Sequence, residues 1–235
     1  MPSERYFTDS LTADRNHFSL EGTEFHHAVR VMRTRVGDVV EVVNGNGLLA
    51  HARLESIEKE RAIFSIDELL SEPPSQRQLV LVQALPKVHR LEFIAEKGTE
   101  LGMTELWLFP GDLSEKKELS PNQETRLQAQ LIAAMKQCGR LYVPKIVMKP
   151  GLKAWKAFPE GSFFGDVAVE APAFVSVLRQ GVPESLFFFV GPESGFSDKE
   201  VSLLKQGGVQ GVRLHENVLR TDTAGMVALA LASSV

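Results

Sequence analysis

Two short stretches carry residue types that could bind or turn over a ligand: "GPESGF" at 191–196 and "LHENVLRTDTA" at 214–224. In the first, Gly191 and Gly195 let a backbone approach a ligand closely, Pro192 stiffens the loop, and Glu193 is its one charge. No lysine follows the second glycine, and the G-x-G-x-x-G spacing is missing, so neither a P-loop nor a dinucleotide fingerprint is present. A carboxylate there would repel phosphate and suits a ligand with positive or hydrogen-donating groups. In the second stretch Arg220 stands just before a helix start, where the dipole disfavours a cation, and residues that break a local rule are candidates for function. From pattern alone, a purely structural strand-to-helix turn is an equal alternative for "GPESGF".

The elements that must position these loops are legible. "SLFFFV" (185–190) reads as a buried strand running into the first loop, and Ser197 with Glu200 spells a capping box that opens a helix. In open α/β sheets, ligands sit at such carboxyl strand ends. "GVRL" leads into the second loop and "GMVALALA" into a helix of small residues, with Thr221, Asp222 or Thr223 as its expected N-cap. Such a helix packs closely, in the core or against a second copy. Upstream, "LVLVQAL", the helical "RLEFIAEKGTELG", "TELWLFP", the helical "NQETRLQAQLIAAMKQCG" and the strand "FFGDVAVE" alternate as in an α/β domain with parallel strands. Before residue 75 the grammar differs: "VGDVVEVV", "LLAHARLESI" and "AIFSIDELL" are short strands, and "NGNG" between the first two favours a hairpin. With two prolines in "SEPPSQRQ" as linker, the expected domains are 1–75, small and antiparallel β, and 76–235, α/β.

At 43% hydrophobic and 24% charged residues, 235 residues suffice for a real core. The longest apolar runs fall far short of the roughly 20 residues a bilayer span needs, so no membrane association is expected. The N-terminal stretch shows neither a secretion nor an organelle-import pattern, which makes cytoplasm the expected compartment. A lone cysteine, Cys138, excludes an internal disulfide and a cysteine-based zinc cluster, and the adjacent His26 and His27 lack partners at metal-ligand spacing; no metal is expected. The net charge of −4 argues against a generally basic surface, yet residues 76–153 hold 12 Lys/Arg against 8 Asp/Glu. "RVMRTR" gathers Arg30, Arg33 and Arg35 without an acid, a cluster that fits phosphate contact or an ordinary solvated face equally.

"HHAVRVMRTRVGD", "EFIAEKGTELG", "QCGRLYVPKI", "FVGPESGFSDKE" and "LRTDTA" occur in the order and at about the spacing of the ribosomal small-subunit RNA methyltransferase E family, the 16S rRNA uracil-N3 methyltransferases, which the chain resembles over nearly its whole length. The resemblance implies a C-terminal SPOUT domain with a deep trefoil knot, a PUA-like N-terminal β-barrel, S-adenosylmethionine as cofactor, 16S rRNA or the small subunit as substrate, and a homodimer. Chains almost never thread themselves, so local physics would not suggest the knot. The two loops then become the cofactor walls, with Gly191, Pro192, Glu193, Gly195, Leu214, Val218, Leu219 and Thr221 as binding residues. Arg220 and Arg140 are candidates to stabilise a uracil anion as N3 gives up its proton, while a phosphate contact or a helix-end charge is an equal alternative for Arg140. Arg30, Arg33, Arg35, Lys87 and Arg90 are candidate RNA contacts. N3 methylation needs no covalent adduct, which favours Cys138 as a packing residue over a nucleophile. "GDLSEKKELSPNQE" carries Lys116 and Lys117 where the family usually has an arginine in a serine-rich element, which puts RNA contacts there in doubt. The rival readings are the same fold acting on another RNA target and a non-catalytic RNA-binding assembly factor.

Overall fold

A computed structural model describes residues 4–235; the first three residues of the expected N-terminal domain lie outside the described residues. The chain forms two compact units, one of Met1–Ser75 with Ile132–Val143, the other of Gln76–Leu131 with Pro144–Val235. Residues 132–143 were expected with the second domain. They belong to the first unit because Met135 and Leu141 are buried in one cluster with Val43 and Leu49, and Phe7, Tyr142 and Val143 pack against it.

In the first unit, β1 (Arg5–Phe7), β2 (His17–Glu21), β3 (Val39–Val43), β4 (Leu48–Ile57) and β5 (Arg61–Ser71) form one sheet in the order β1-β3-β4-β5-β2. Only β1 with β3 is parallel. The "NGNG" turn joins β3 to β4 as its composition requires. Asn44 Oδ1 accepts the backbone N–H groups of Asn46 (2.8 Å) and Leu48 (3.1 Å), while Gly45 and Gly47 take the left-handed φ values of 69° and 91°. A helical segment that the strand reading did not anticipate follows β2: α1 (Gly22–Phe25) continues as a π-helical turn, His26–Val31. Just beyond it Arg33 adopts a φ of 59°, uncommon for a residue with a side chain.

The second unit is a six-stranded, wholly parallel sheet in the order β11-β9-β10-β6-β7-β8. Its strands are β6 (Gln78–Ala84), β7 (Glu105–Phe109), β8 (Lys145–Met148), β9 (Ser162–Gly165), β10 (Ser185–Val190) and β11 (Gln210–Val212). The helices are α2 (Val88–Glu100), α3 (Pro121–Cys138), α4 (Phe174–Leu178), α5 (Asp198–Gln206) and α6 (Thr221–Ser233), and the last turns of α3 count with the first unit. The strand expected over "FFGDVAVE" ends at Gly165; beyond it Val167 and Val169 are 74% and 80% exposed, so nothing there packs as a buried strand. The chain builds outward from β6 to β8, then returns to place β10 between β9 and β6. Strand order therefore reverses between β6 and β10, and a crevice is expected at the carboxyl ends of these two strands.

Candidate functional site

A cavity of about 450 Å³ lies beside that point, over β9 and β10, with no β6 residue in its wall: it is lined by the ends of β9 and β10, the loop 191–196, the segment 213–219 and the first turn of α6. Gly191 is required by packing: a Cβ there would meet Phe196 N at 2.8 Å and the Gly195 carbonyl carbon at 2.9 Å, so the loop folds back onto its own start. Gly195 turns the loop with a left-handed φ of 76°. The capping box then fixes where the loop ends. Ser197 Oγ accepts the Glu200 N–H at 3.2 Å and the Ser197 N–H donates to Glu200 Oε2 at 2.9 Å. Glu200, 2% exposed, also accepts the Asp112 N–H through Oε1 at 2.9 Å, which ties the loop to the segment after β7. Asp112 receives the Ser197 hydroxyl (2.9 Å) and sits 3.2 Å from Lys153 Nζ, contacts that hold its carboxyl below the usual range.

At the second loop the helix start differs from expectation. None of Thr221, Asp222 or Thr223 is the N-cap of α6; Arg220 is, and its side chain makes no cap bond. The Thr221 hydroxyl is used elsewhere, donating to the Gly191 carbonyl at 2.6 Å and so joining the two loops. Gly225, one turn on, lets α6 press onto β6, where a Cβ would lie 3.2 Å from Leu81 Cδ2.

The structure brings all eight residues expected to hold a cofactor, Gly191, Pro192, Glu193, Gly195, Leu214, Val218, Leu219 and Thr221, to the wall of this one cavity. It adds Phe164 and Asp166 at the end of β9, Arg213 and His215. A Gly-Asp pair closing an apolar run was the available signal for Asp166. Its carboxylate is 3.0 Å from Lys205 Nζ and accepts the Ala168 N–H at 3.0 Å.

Glu193, read from sequence as a free negative charge, is matched internally. Its Oε1 accepts the Lys87 N–H at 3.0 Å and lies 3.3 Å from Arg90 Nε, and Arg90 Nη1 donates to Asp222 at 2.6 Å. Arg90 thus sits between two carboxylates, one from each loop. Lys87 pairs with exposed Glu115 at 3.1 Å. Arg220 is exposed, does not line the cavity, and among the described residues its side chain has no hydrogen-bond or ion partner. Arg140 falls in the first unit, where burial pushes its pKa down. Arg30, Arg33 and Arg35 are exposed on one segment of the first unit, their guanidinium groups without an ion partner among the described residues. Lys117 donates to the Gly111 and Asp112 carbonyls, and Cys138 Sγ rests 3.6 Å from the Met135 carbonyl.

The chain thus presents a parallel sheet with a glycine-walled cavity at the carboxyl ends of β9 and β10, preceded in sequence by a small β unit. Residues 73–233 match the family model described as an RNA methyltransferase domain, and residues 20–67 the one described as an RNA methyltransferase PUA domain. The class is therefore that of the RNA methyltransferases. The ribosomal RNA small subunit methyltransferase E of Bacillus subtilis (strain 168) is 31% identical, with 98% of this chain and 96% of that protein covered. This chain belongs to the ribosomal RNA small subunit methyltransferase E family. Among solved structures, a predicted RNA methyltransferase of Thermotoga maritima aligns with a TM-score of 0.78 at 27% identity, over 99% of this chain and 98% of the other. The ribosomal RNA small subunit methyltransferase E of Neisseria gonorrhoeae, bound to S-adenosyl methionine, aligns with a TM-score of 0.84 over 100% and 98%; at 24% identity this likeness speaks to the fold.

Proposed function

We propose that this protein is a cytoplasmic, homodimeric methyltransferase that transfers the methyl group of S-adenosylmethionine to N3 of a uridine in the 16S rRNA of the small ribosomal subunit. The carrying observation is the cavity at the carboxyl ends of β9 and β10, whose wall is built from two loops joined by the Thr221–Gly191 hydrogen bond. Its residues fit the cofactor's mixed chemistry. Phe164, Leu214, Val218 and Leu219 offer apolar surface to an adenine, glycines leave backbone groups within reach, and Asp166 is a carboxylate on the wall for a hydroxyl or ammonium group. When bound, the cofactor supplies an electrophilic methyl group on a sulfonium. In this reading the second unit is threaded as a trefoil knot of the SPOUT type and the first closes as a PUA-like barrel.

The chain's own residues have two tasks. One is to favour loss of the uracil N3 proton, for which a fixed cation near the developing negative charge is enough. Arg220, charged and without an internal partner among the described residues, is assigned that role, with Arg140 as the second candidate cation. The other is to hold RNA. Arg30, Arg33 and Arg35 are assigned to phosphates, which position the substrate without reading its sequence; their exposure on one segment supports this. Lys87 and Arg90 complete the proposed RNA contacts, though the ion pairs of Arg90 give it an internal task as well.

Purified protein incubated with S-adenosylmethionine and either free 16S rRNA or small subunits from cells lacking this activity, followed by nucleoside mass spectrometry, tests the reading. Formation of 3-methyluridine is expected. A methylated nucleoside of another kind would overturn the N3 assignment, and absence of any methyl transfer together with absence of cofactor binding would favour an RNA-binding assembly factor.

A further inference from the structure

Gln83 is a carboxamide at the centre of the second unit's sheet, on β6 opposite Val190 of β10, and it is fully buried. A polar group there is costly to bury unless bonded, and its neighbours in "LVLVQAL" show that apolar residues suit this strand. Its Nε2 is surrounded by four oxygens: the Ala84 carbonyl at 2.9 Å, Thr221 Oγ1 at 2.9 Å, the Gly191 carbonyl at 3.2 Å and the Val190 carbonyl at 3.5 Å. The amide cannot be turned over, because three of those oxygens are carbonyls that only accept, and only the NH2 end can meet them. Its Oε1 is buried and has no hydrogen-bond partner among the described residues. The side chain's hydrogen bonds are thus all made through its NH2 end.

What the donors hold together is specific. Gly191 and Thr221 both line the cavity, one from each loop, and Gln83 itself does not. We infer that Gln83 is a positioning residue for cofactor binding: from behind the wall its NH2 group sets the spacing of the Gly191 loop and the first turn of α6. This rests on the cavity being the S-adenosylmethionine site proposed above.

Calorimetric titration of the full-length protein with S-adenosylmethionine tests it, with thermal unfolding recorded alongside. Binding by the wild-type protein is the control, and its absence would fail the functional reading itself, irrespective of any variant. Given that binding, Gln83→Met, which keeps the volume and removes the donors, is expected to raise Kd tenfold or more, and Thr221→Val to act in the same direction. The double variant should bind no more than about twofold worse than the weaker single one, because both remove parts of one device. A Kd for Gln83→Met within twofold of wild type, or effects that multiply in the double variant, would overturn the inference. Should Gln83→Met fail to fold, Thr221→Val decides in its place, because it removes the hydroxyl that accepts from Gln83 and donates to the Gly191 carbonyl: its Kd should rise tenfold or more, and a Kd within twofold of wild type would overturn the inference equally.

Discussion

Replacing Arg90 with methionine separates two roles that one side chain could have, internal tie or phosphate contact. In the structure Arg90 Nη1 lies 2.6 Å from Asp222 and Nε 3.3 Å from Glu193, and the three side chains are 19%, 19% and 27% exposed in the order Arg90, Asp222, Glu193. An exposed pair of this kind is worth at most ~1 kcal/mol, whereas removing one partner of a buried pair costs ~3–5 kcal/mol. Arg90→Met does not strand the two carboxylates altogether, since Asp222 Oδ1 keeps the Thr223 N–H at 2.9 Å and Glu193 the Lys87 N–H at 3.0 Å. The cost is therefore intermediate, about 2 kcal/mol. For a chain of this length that is a fall in Tm of about 4–8 °C. The assay is differential scanning calorimetry, with a double-mutant cycle to Asp222→Asn in which a coupling of about 1–2 kcal/mol is expected. RNA affinity measured over a salt series reports the proposed phosphate contact separately from the tie. A Tm unchanged within about a degree, together with a log–log salt slope shallower by about one, would show that Arg90 holds a phosphate and refute the tie.

Gly191→Ala should destabilise the protein by about 1–3 kcal/mol, because the added Cβ meets backbone atoms that cannot rotate away; thermal unfolding without ligand checks this, and unaltered stability would show the loop to be less tightly folded than described. Gly195→Ala, with nothing within 4 Å of its Cβ, should show only the left-handed strain of about 1–2 kcal/mol in the same measurement. Burial raises the Tyr6 hydroxyl from its ordinary 10.0 to about 12, so the unfolded chain ionises first. The neutral phenol's contribution is complete below pH 10 and is lost as pH rises through about 12, and Tyr6→Phe should flatten that part of a urea-unfolding series against pH.

The parallel unit was readable because its signals are local. "LVLVQAL" and "SLFFFV" are too apolar for a sheet with an exposed face, and Ser197 with Glu200 marks a helix start within four residues. That the two loops wall one cavity was implied by the family resemblance and not by local grammar: they leave β10 and β11, and β9, which lies between those strands, reveals its place only in the sheet. What was not readable depends on distant partners. Residues 132–143 join the first unit through Met135 and Leu141, whose apolar spacing says only that one helix face is buried, not against which strands. Glu193 looks like a free charge until Arg90, 103 positions earlier, is placed beside it. Thr221 has the composition of an N-cap and is drawn from that role by a carbonyl 30 residues away. Gln83 stands in an apolar run with no sequence signal beyond its own polarity.

Arg220 shows what such local conflicts imply. It occupies the N-cap of α6 with φ −65° and ψ 156°, the extended conformation a capping serine would adopt, yet it supplies no cap bond and puts a cation at the positive end of the helix. Arg220→Ser should therefore stabilise the fold: a serine cap is worth ~1 kcal/mol, which corresponds to a rise in Tm of about 2–4 °C. If the arginine's charge assists loss of the uracil N3 proton, the same variant must lose turnover, and Arg220→Ala should lose as much turnover without the gain in Tm. Cofactor affinity should change little in both, because the side chain does not line the cavity. Stability gained at the expense of kcat is the signature of a residue kept for chemistry. A Tm gain with full turnover would make Arg220 a bystander, and an equal fall in cofactor affinity and turnover would move it into the cofactor site.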